Sequence, residues 1–499
     1  MKITLDKKTI TVPEGSTVGS VLDTEVVLLA ELNNGFSDVD AHLAEGDVLE
    51  TYDASTREGY VIYKQTLIHV LSRAVKKLFP KRRLCVRQSV NKSTYFEILP
   101  QVESCEENAA KLYEAMAQII KAGEKCEMQG KYYMCASNTA AVAVFDVIAY
   151  DGGFLLRYPN RYSGGKIPPV QESLRLHKIL VSNREWNEKV AVGSVSELNE
   201  AIRKGTIKDV INLAEGLAEK RIIQIADEIA SRRDVRIVLV AGPSGSGKTS
   251  FSSRLRMHLR INGIKTELIS MDNYFKDART LFDGDGKRDF ESVEALDYEL
   301  LSRHLSELIR GEEIQMPIFD FVNARRSSET IPMKVAREEI IIMEGIHALN
   351  EKTTLLVEKG NKYKVYCGAF SSIAFDDENI ISATDVRLIR RLVRDAAFRN
   401  ADADYTFELW EDVRESEYTN IFPFENEADD VFNSALVYEL AAMKHSAQAL
   451  LSRVSKESPY HLTALRLLRL LSFFEPMDTV PIPPTSVVRE FIGGSTIID

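Results

Sequence analysis

The chain has 499 residues, too many for one ordinary core, and 44% hydrophobic with 27% charged residues fits a globular protein of roughly two to four domains. Its formal charge of −11, from 63 basic and 74 acidic residues, excludes a chain built throughout as a polyanion-binding surface and leaves room only for a local basic patch. Five cysteines (Cys85, Cys105, Cys126, Cys135 and Cys367) form no C-x-x-C pair, which points to a reducing compartment. The first eight residues carry no long apolar core, so no secretory signal is expected there. The most apolar runs, such as Ile340 to Met343, are strand-sized, so no contact with a membrane is expected and the cytoplasm is the expected location.

Residues 1–60 read as a small β-rich domain. Ile3, Leu5, Ile10 and Val12 alternate with polar residues, and Pro13-Glu14-Gly15-Ser16 is a turn. Residues 61–205 read as a mixed domain. Helices are expected over Thr66–Phe79, ending at Pro80, and over Glu107–Lys121, ending before Gly123, with an apolar strand-rich run over Ala140–Ala149. Residues 206–235 read as a helical linker, because Ile207, Val210, Ile211, Leu213, Leu217, Ile222, Ile225 and Ile229 keep helical spacing. From Arg236 the order becomes strand, glycine-rich loop, helix, strand, the rhythm of an α/β domain over 236–435. Residues 436–499 read as a helical extension whose leucine stripe (Leu465, Leu467, Leu468, Leu470, Leu471) is expected to pack onto that α/β core.

The strongest signal is Gly242-Pro243-Ser244-Gly245-Ser246-Gly247-Lys248-Thr249, which fits G-x-x-x-x-G-K-[ST] between the buried-strand run 236–241 and a helix over Ser250–Leu259. Glycines let backbone N–H groups turn inward around phosphates, and the helix directs its positive end at the same charge. Gly242, Ser244, Gly245, Ser246, Gly247, Lys248, Thr249 and Ser250 are therefore the expected nucleotide contacts, for ATP or GTP. Lys248 would reach the β- and γ-phosphates, and Thr249 would offer its hydroxyl to Mg²⁺.

Two further strands end in carboxylates. Glu267–Asp272 places Asp272 at the carboxyl edge of an open sheet, where ligands bind, so Asp272 is a candidate base for an acceptor hydroxyl. Ile340–Gly345 places Glu344 for the outer shell of the Mg²⁺. Arg387, Arg390, Arg391 and Arg394 recur at helical spacing on one face and read as a lid that clamps phosphates.

Taken in order, these segments resemble the uridine kinase/phosphoribulokinase family over roughly 236–435. The resemblance rests on the loop, Met271-Asp272-Asn273-Tyr274-Phe275, Asp289 to Asp297, Pro317 to Phe321, Glu344-Gly345-Ile346 and Asp385 to Arg391. It implies a P-loop NTPase-type parallel sheet with flanking helices. It also implies transfer of a γ-phosphate to a nucleoside 5′-hydroxyl, with Asp272 as base beside Lys248. Tyr274, Glu291, Phe319 and Phe321 fall where uridine kinases contact the nucleoside, and Arg325 is assigned to the same pocket. Ala324 stands where those enzymes carry a base-reading histidine, and Phe319 lacks the usual tyrosine hydroxyl, which opens the site to another nucleoside or a sugar-like alcohol.

Residues 1–60 resemble the TGS domain of threonyl-tRNA synthetases, a small β-grasp-like fold, and 61–205 resemble the α+β editing module beside it. Of that module's His-x-x-x-His helix only His69 is present, with Gln65 at the other position, so no metal is expected there. This half implies RNA, a regulatory ligand or a partner subunit, and the family resemblance implies a homo-oligomer. The competing reading is a nucleotide-gated RNA-binding or regulatory protein, but a switch has no use for Asp272 or an aromatic acceptor pocket.

Overall fold

The computed structural model describes residues 1–498 apart from 24–25, 38, 91, 127–134, 171–173, 190–191, 278–290, 321–322, 324 and 371–372, and at 36, 174–175, 183 and 185–189 it describes backbone only. The described chain forms two compact units, one of Met1–Ser173, Ala374–Ile381 and Leu451–Phe473, the other of Leu174–Ile373, Ser382–Leu450 and Phe474–Asp499.

In the first unit β1 (Lys2–Leu5), β2 (Lys8–Thr11), the short helix α1 (Val18–Val21), β3 (Leu29–Leu32), β4 (Gly35–Ser37) and β5 (Val48–Tyr52) follow in sequence. The strands form a sheet in the order β2-β1-β5-β3-β4, in which β1 and β5 run parallel. The alternating residues Ile3 and Val12, with Val18, Leu43 and Leu49, make its small core. Helix α2 (Arg57–Leu78) begins nine residues before the expected Thr66, because the Thr56 hydroxyl accepts the Gly59 N–H and starts the helix there. Then come β6 (Arg83–Val90), β7 (Ser93–Leu99), α3 (Glu106–Lys121), β8 (Asp146–Tyr150) and β9 (Gly153–Arg157). The four strands pair antiparallel in the order β6-β7-β9-β8. Leu67, Val70, Leu71 and Ala74 of α2 meet Leu112 and Met116 of α3 over this sheet.

The helix His461–Ser472 belongs to this first unit, and its Leu462 and Leu465 enter the same cluster as Leu67 and Leu71. The expectation that this segment packs onto the α/β core is corrected for Leu465, and the whole stretch Leu451–Phe473 groups with the first unit. A stripe of leucines specifies that an apolar face must be covered but not by which sheet.

The second unit opens with α4 (Leu174–Lys189), α5 (Val195–Arg203) and α6 (Ile207–Ser231). The helix expected as a linker is thus part of a folded unit, with Ile222, Ile225 and Ile229 fully buried. Next come β10 (Ile237–Ala241), α7 (Lys248–Ile261), β11 (Thr266–Ser270), α8 (Tyr298–Ile309), the antiparallel pair β12 (Ile314–Asp320) and β13 (Arg325–Met333), and β14 (Ile340–Glu344). They are followed by β15 (Lys362–Gly368), α9 (Ala383–Arg399), α10 (Ala403–Ser416), β16 (Asp430–Asn433) and α11 (Glu439–Leu451). The main sheet is wholly parallel in the order β11-β14-β10-β15-β16, the α/β arrangement expected from the sequence. Ile237 to Ala241 are all buried, as a central strand covered on both faces requires. Among the described residues no helix is long and apolar enough to cross a membrane.

Truncating Leu462 to alanine should destabilise the first unit by about 2–5 kcal/mol, the usual range for a leucine lost from a packed core. The check is a urea titration read through amide protection of α2, and unchanged protection would contradict the placement.

Candidate active site

The register of the sheet assembles the site. Val240 of β10 and Ser270 of β11 both pair with Glu344 of β14, so the three strands end level at one edge. Two residues past Val240 the chain enters the glycine loop at Gly242. Two residues past Ser270 it reaches Asp272, in a 3₁₀ turn whose start is held by the Ser270 hydroxyl accepting the Asp272 N–H at 3.3 Å. A Cβ on Gly242 would stand 1.9 Å from the Cys367 carbonyl oxygen, so only glycine lets β10 and β15 run this close at the turn. Gly245 and Gly247 adopt φ of +73° and +79°, and Gly247 caps α7.

Lys248 folds back so that Nζ donates to the carbonyls of Gly242 at 2.9 Å and Pro243 at 3.2 Å. The Thr249 hydroxyl donates to Glu344 Oε1 at 3.1 Å, while Glu344 Oε2 is buried without a hydrogen-bond partner. Burial pushes the Glu344 carboxyl up to about 7, with Lys248 acting against the rise and Asp272 and Glu490 adding to it. Burial also raises Asp272, opposed by Lys248, then Arg399 and Arg394. Glu291 is pushed up to about 7 by burial, with Arg391 opposing and Glu417 and Asp272 adding, and its carbonyl accepts the Ser416 hydroxyl at 2.8 Å. Lys248, Asp272, Glu291 and Glu344 therefore share one charge environment.

A hydrated Mg²⁺ fits these residues. An unpartnered carboxylate oxygen lies on the group that already holds the Thr249 hydroxyl, and both are hard oxygen donors. Among the described residues no set of three or more His, Cys, Asp or Glu side chains is arranged to hold a metal, and a cation completed by water and substrate phosphates needs no such cage.

The arginine face divides into two parts. Arg387 and Arg390 are 3% and 0% exposed and are not free to act as a lid. Arg387 grips both oxygens of buried Glu417 and donates to the Ser244 carbonyl at 3.0 Å. Burial alone would raise the Glu417 carboxyl, yet Arg387 and Arg414 hold it below the ordinary range. Arg390 pairs with Glu439 at 2.6 Å and donates to the carbonyls of Gly245 at 3.1 Å and Ser434 at 2.9 Å. Arg391 reaches the Ser244 hydroxyl at 3.1 Å and Asp395 at 3.2 Å. Arg394 and Arg399 also pair with Asp395, at 2.9 Å and 3.4 Å, and these two carry positive charge toward Asp272. The lid assignment is thus corrected at Arg387 and Arg390, whose guanidinium groups are committed to carboxylates that helical periodicity does not reveal.

Of the expected acceptor contacts, Tyr274 is fully buried with its hydroxyl 3.1 Å from His304 Nδ1, so it stands in the core rather than at the site surface. Phe319 is 5% exposed and lies edge-on to Phe275. Phe321 and Ala324 lie outside the described residues. Arg325 is exposed on β13. Its neighbour Arg326 turns inward to Asp297 at 3.1 Å and to the carbonyls of Tyr274 and Phe275, bracing the turn that carries Asp272. Sequence reasoning also passed over His347, which is 1% exposed, faces the backbone at Glu291 and Ser292, and is pushed down to about 4 by burial. It passed over Glu490 as well, which accepts from both the N–H and hydroxyl of Ser250.

Two predictions follow from this geometry. Arg390→Ala leaves Glu439 buried and unpaired and should lower stability by about 3–5 kcal/mol, whereas Arg394→Ala should keep near-native stability and lower turnover. Thermal unfolding beside single-turnover kinetics separates them. For pH, the Glu344 carboxyl raised to about 7 adds stability that is complete below its ordinary value of 4.5 and lost as pH rises through 7. Mg²⁺ requires the ionised form, so its apparent affinity should climb about tenfold per pH unit below 7 and level off above it. Titrating Mg²⁺ between pH 5.5 and 8.5 checks this, and Glu344→Gln should flatten the dependence.

The family described as phosphoribulokinase/uridine kinase matches residues 237–440. Uridine kinase of Staphylococcus carnosus (strain TM300) is 33% identical over 178 residues, covering 36% of this chain and 76% of its own. Uridine kinase of Staphylococcus haemolyticus (strain JCSC1435) is 32% identical over 164 residues, covering 33% and 70%. A solved structure of a possible uridine kinase from Bacillus stearothermophilus aligns over 43% of this chain and 98% of its own at 17% identity, with a TM-score of 0.30. The edge that gathers the glycine loop, Asp272 and Glu344 thus lies within the matched segment, and the chain belongs to the phosphoribulokinase/uridine kinase family of phosphotransferases.

Proposed function

We infer that the second unit transfers the γ-phosphate of ATP to the 5′-hydroxyl of a nucleoside. The observation that supports this reading is the level sheet edge, at which Asp272, Lys248 and the Thr249–Glu344 pair stand together. In the reaction the acceptor oxygen bonds to the γ-phosphorus as the bond to the β,γ-bridging oxygen breaks, and ADP leaves. The acceptor proton passes to the Asp272 carboxylate. Lys248, freed from the Gly242 and Pro243 carbonyls, follows the phosphates, and Arg394 and Arg399 oppose the charge that develops near Asp272. Thr249 and Glu344 would hold a Mg²⁺, which supplies neutralisation of phosphate charge. Glu291 would accept from sugar hydroxyls once its raised carboxyl is ionised.

The first unit supports no chemistry of its own in this reading. We assign its β1–β5 sheet to a TGS-like domain and its β6–β9 sheet with α2 and α3 to an editing-like module, from the sequence resemblance. Five free cysteines are consistent with a cytoplasmic protein.

Asp272→Asn should lower phosphate transfer about 10²- to 10⁴-fold, the span of a positioned base, with little change in nucleotide affinity. The assay is radiolabelled transfer from ATP over a panel of purine and pyrimidine nucleosides and free sugars. Transfer undiminished in the variant would remove Asp272 from this role, and hydrolysis of ATP with every acceptor left unmodified would remove the nucleoside.

A further inference from the structure

The helix that follows the phosphate-binding loop already carries an anion belonging to the chain itself. Glu490 lies in the short helix Arg489–Ile492, and its Oε2 accepts from Ser250 N–H at 3.3 Å and from Ser250 Oγ at 2.6 Å. Ser250 is 0% exposed. These are first-turn donors of α7, among those that have no partner within the helix and face the positive end of its dipole. They are the donors a P-loop offers to the α- and β-phosphates.

The segment around Glu490 is built against the loop. Val487 Cγ1 stands 2.7 Å from where a Cβ on Gly247 would be. Phe491 is fully buried beneath the Arg390 guanidinium at 4.9 Å, the arginine that holds the Gly245 carbonyl. The Ser486 hydroxyl lies 3.2 Å from the Tyr438 hydroxyl. Arg489 turns back to the carbonyls of Thr479 at 2.8 Å and Ile482 at 2.7 Å, leaving its neighbour Glu490 aimed at Ser250. Gly493 and Gly494, at φ of +87° and +76°, end the helix.

From this arrangement we propose that residues 486–493 form an autoinhibitory occupant of the nucleotide site, with the Glu490 carboxylate holding the Ser250 donors that the α-phosphate of the nucleotide requires. One N–H and one hydroxyl cannot serve two anions, so the segment withdraws when nucleotide enters. Whatever stabilises the withdrawn segment therefore activates the enzyme. The proposal rests on the nucleotide reading of the loop given above.

The test uses the full-length protein and ADP without acceptor. Glu490→Gln keeps the side chain's shape and a hydrogen bond to Ser250 while removing the charge. Calorimetry should show ADP bound roughly tenfold tighter by the variant, within the usual range of coupling between two sites. In the unaltered protein, hydrogen exchange should show the amides of Phe491, Ile492 and Gly493, which donate to Val488 and Arg489 carbonyls, losing protection at saturating ADP. Equal or weaker ADP binding by the variant, or a gain of protection over 486–493, overturns the inference alone. Absence of ADP binding by both proteins overturns the nucleotide reading and this inference with it.

Discussion

Turning the N–H groups of a loop inward to meet an anion forces some of its carbonyls outward, and outward carbonyls buried in protein need donors. Here a row of arginines on α9 supplies them. Arg387 takes the Ser244 carbonyl, Arg390 takes that of Gly245, and the Ser434 hydroxyl takes that of Ser246 at 2.5 Å. Each guanidinium is fixed in turn by a buried carboxylate, Glu417 or Glu439. The inward face of the loop thus depends on an outward scaffold of charge-assisted bonds, which are stronger than neutral ones and strongly directional. The same scaffold explains why a helix so rich in arginine is largely dry.

On the inward side the balance reverses. Asp272, Glu291, Glu344 and Glu490 converge on a place where Lys248 is the central cation, and burial raises three of these carboxyls. Such a site is rich in buried carboxyls and would be balanced by added positive charge. In the proposed reaction a divalent cation at Glu344 would supply that charge, while Arg394 and Arg399 already act against the rise of Asp272. Cation binding there would be coupled to proton release, because Glu344 cannot serve a metal while it holds a proton.

Much of this was legible in the sequence where physics is local. The strand-end carboxylates Asp272 and Glu344 and the glycine loop follow from patterns shorter than ten residues, and the parallel sheet follows from their order. Helix α7 runs Lys248–Ile261 against an expected Ser250–Leu259. What the sequence hides is pairing over distance. Arg390 and Glu439 are 49 residues apart and Ser250 and Glu490 are 240 apart, and neither pairing leaves a periodic trace. Tyr274 shows the converse: a motif position names the residue type, but the nearby His304 takes its hydroxyl into the core. Leu465 of the leucine stripe likewise declares an apolar face and not its destination.

The C-terminal segment brings these two sides of the loop together. Phe491 stacks on Arg390, which holds the Gly245 carbonyl, while Glu490, one residue earlier, accepts from Ser250 in the first turn of α7. A single short helix therefore reads both faces of one peptide turn. Withdrawal of the four-residue helix as a unit would take Glu490 from Ser250 and Phe491 from Arg390 together. Charge at the loop and packing behind it would then change in one step. That coupling, rather than the carboxylate alone, is what makes the segment suited to report or control the state of the loop.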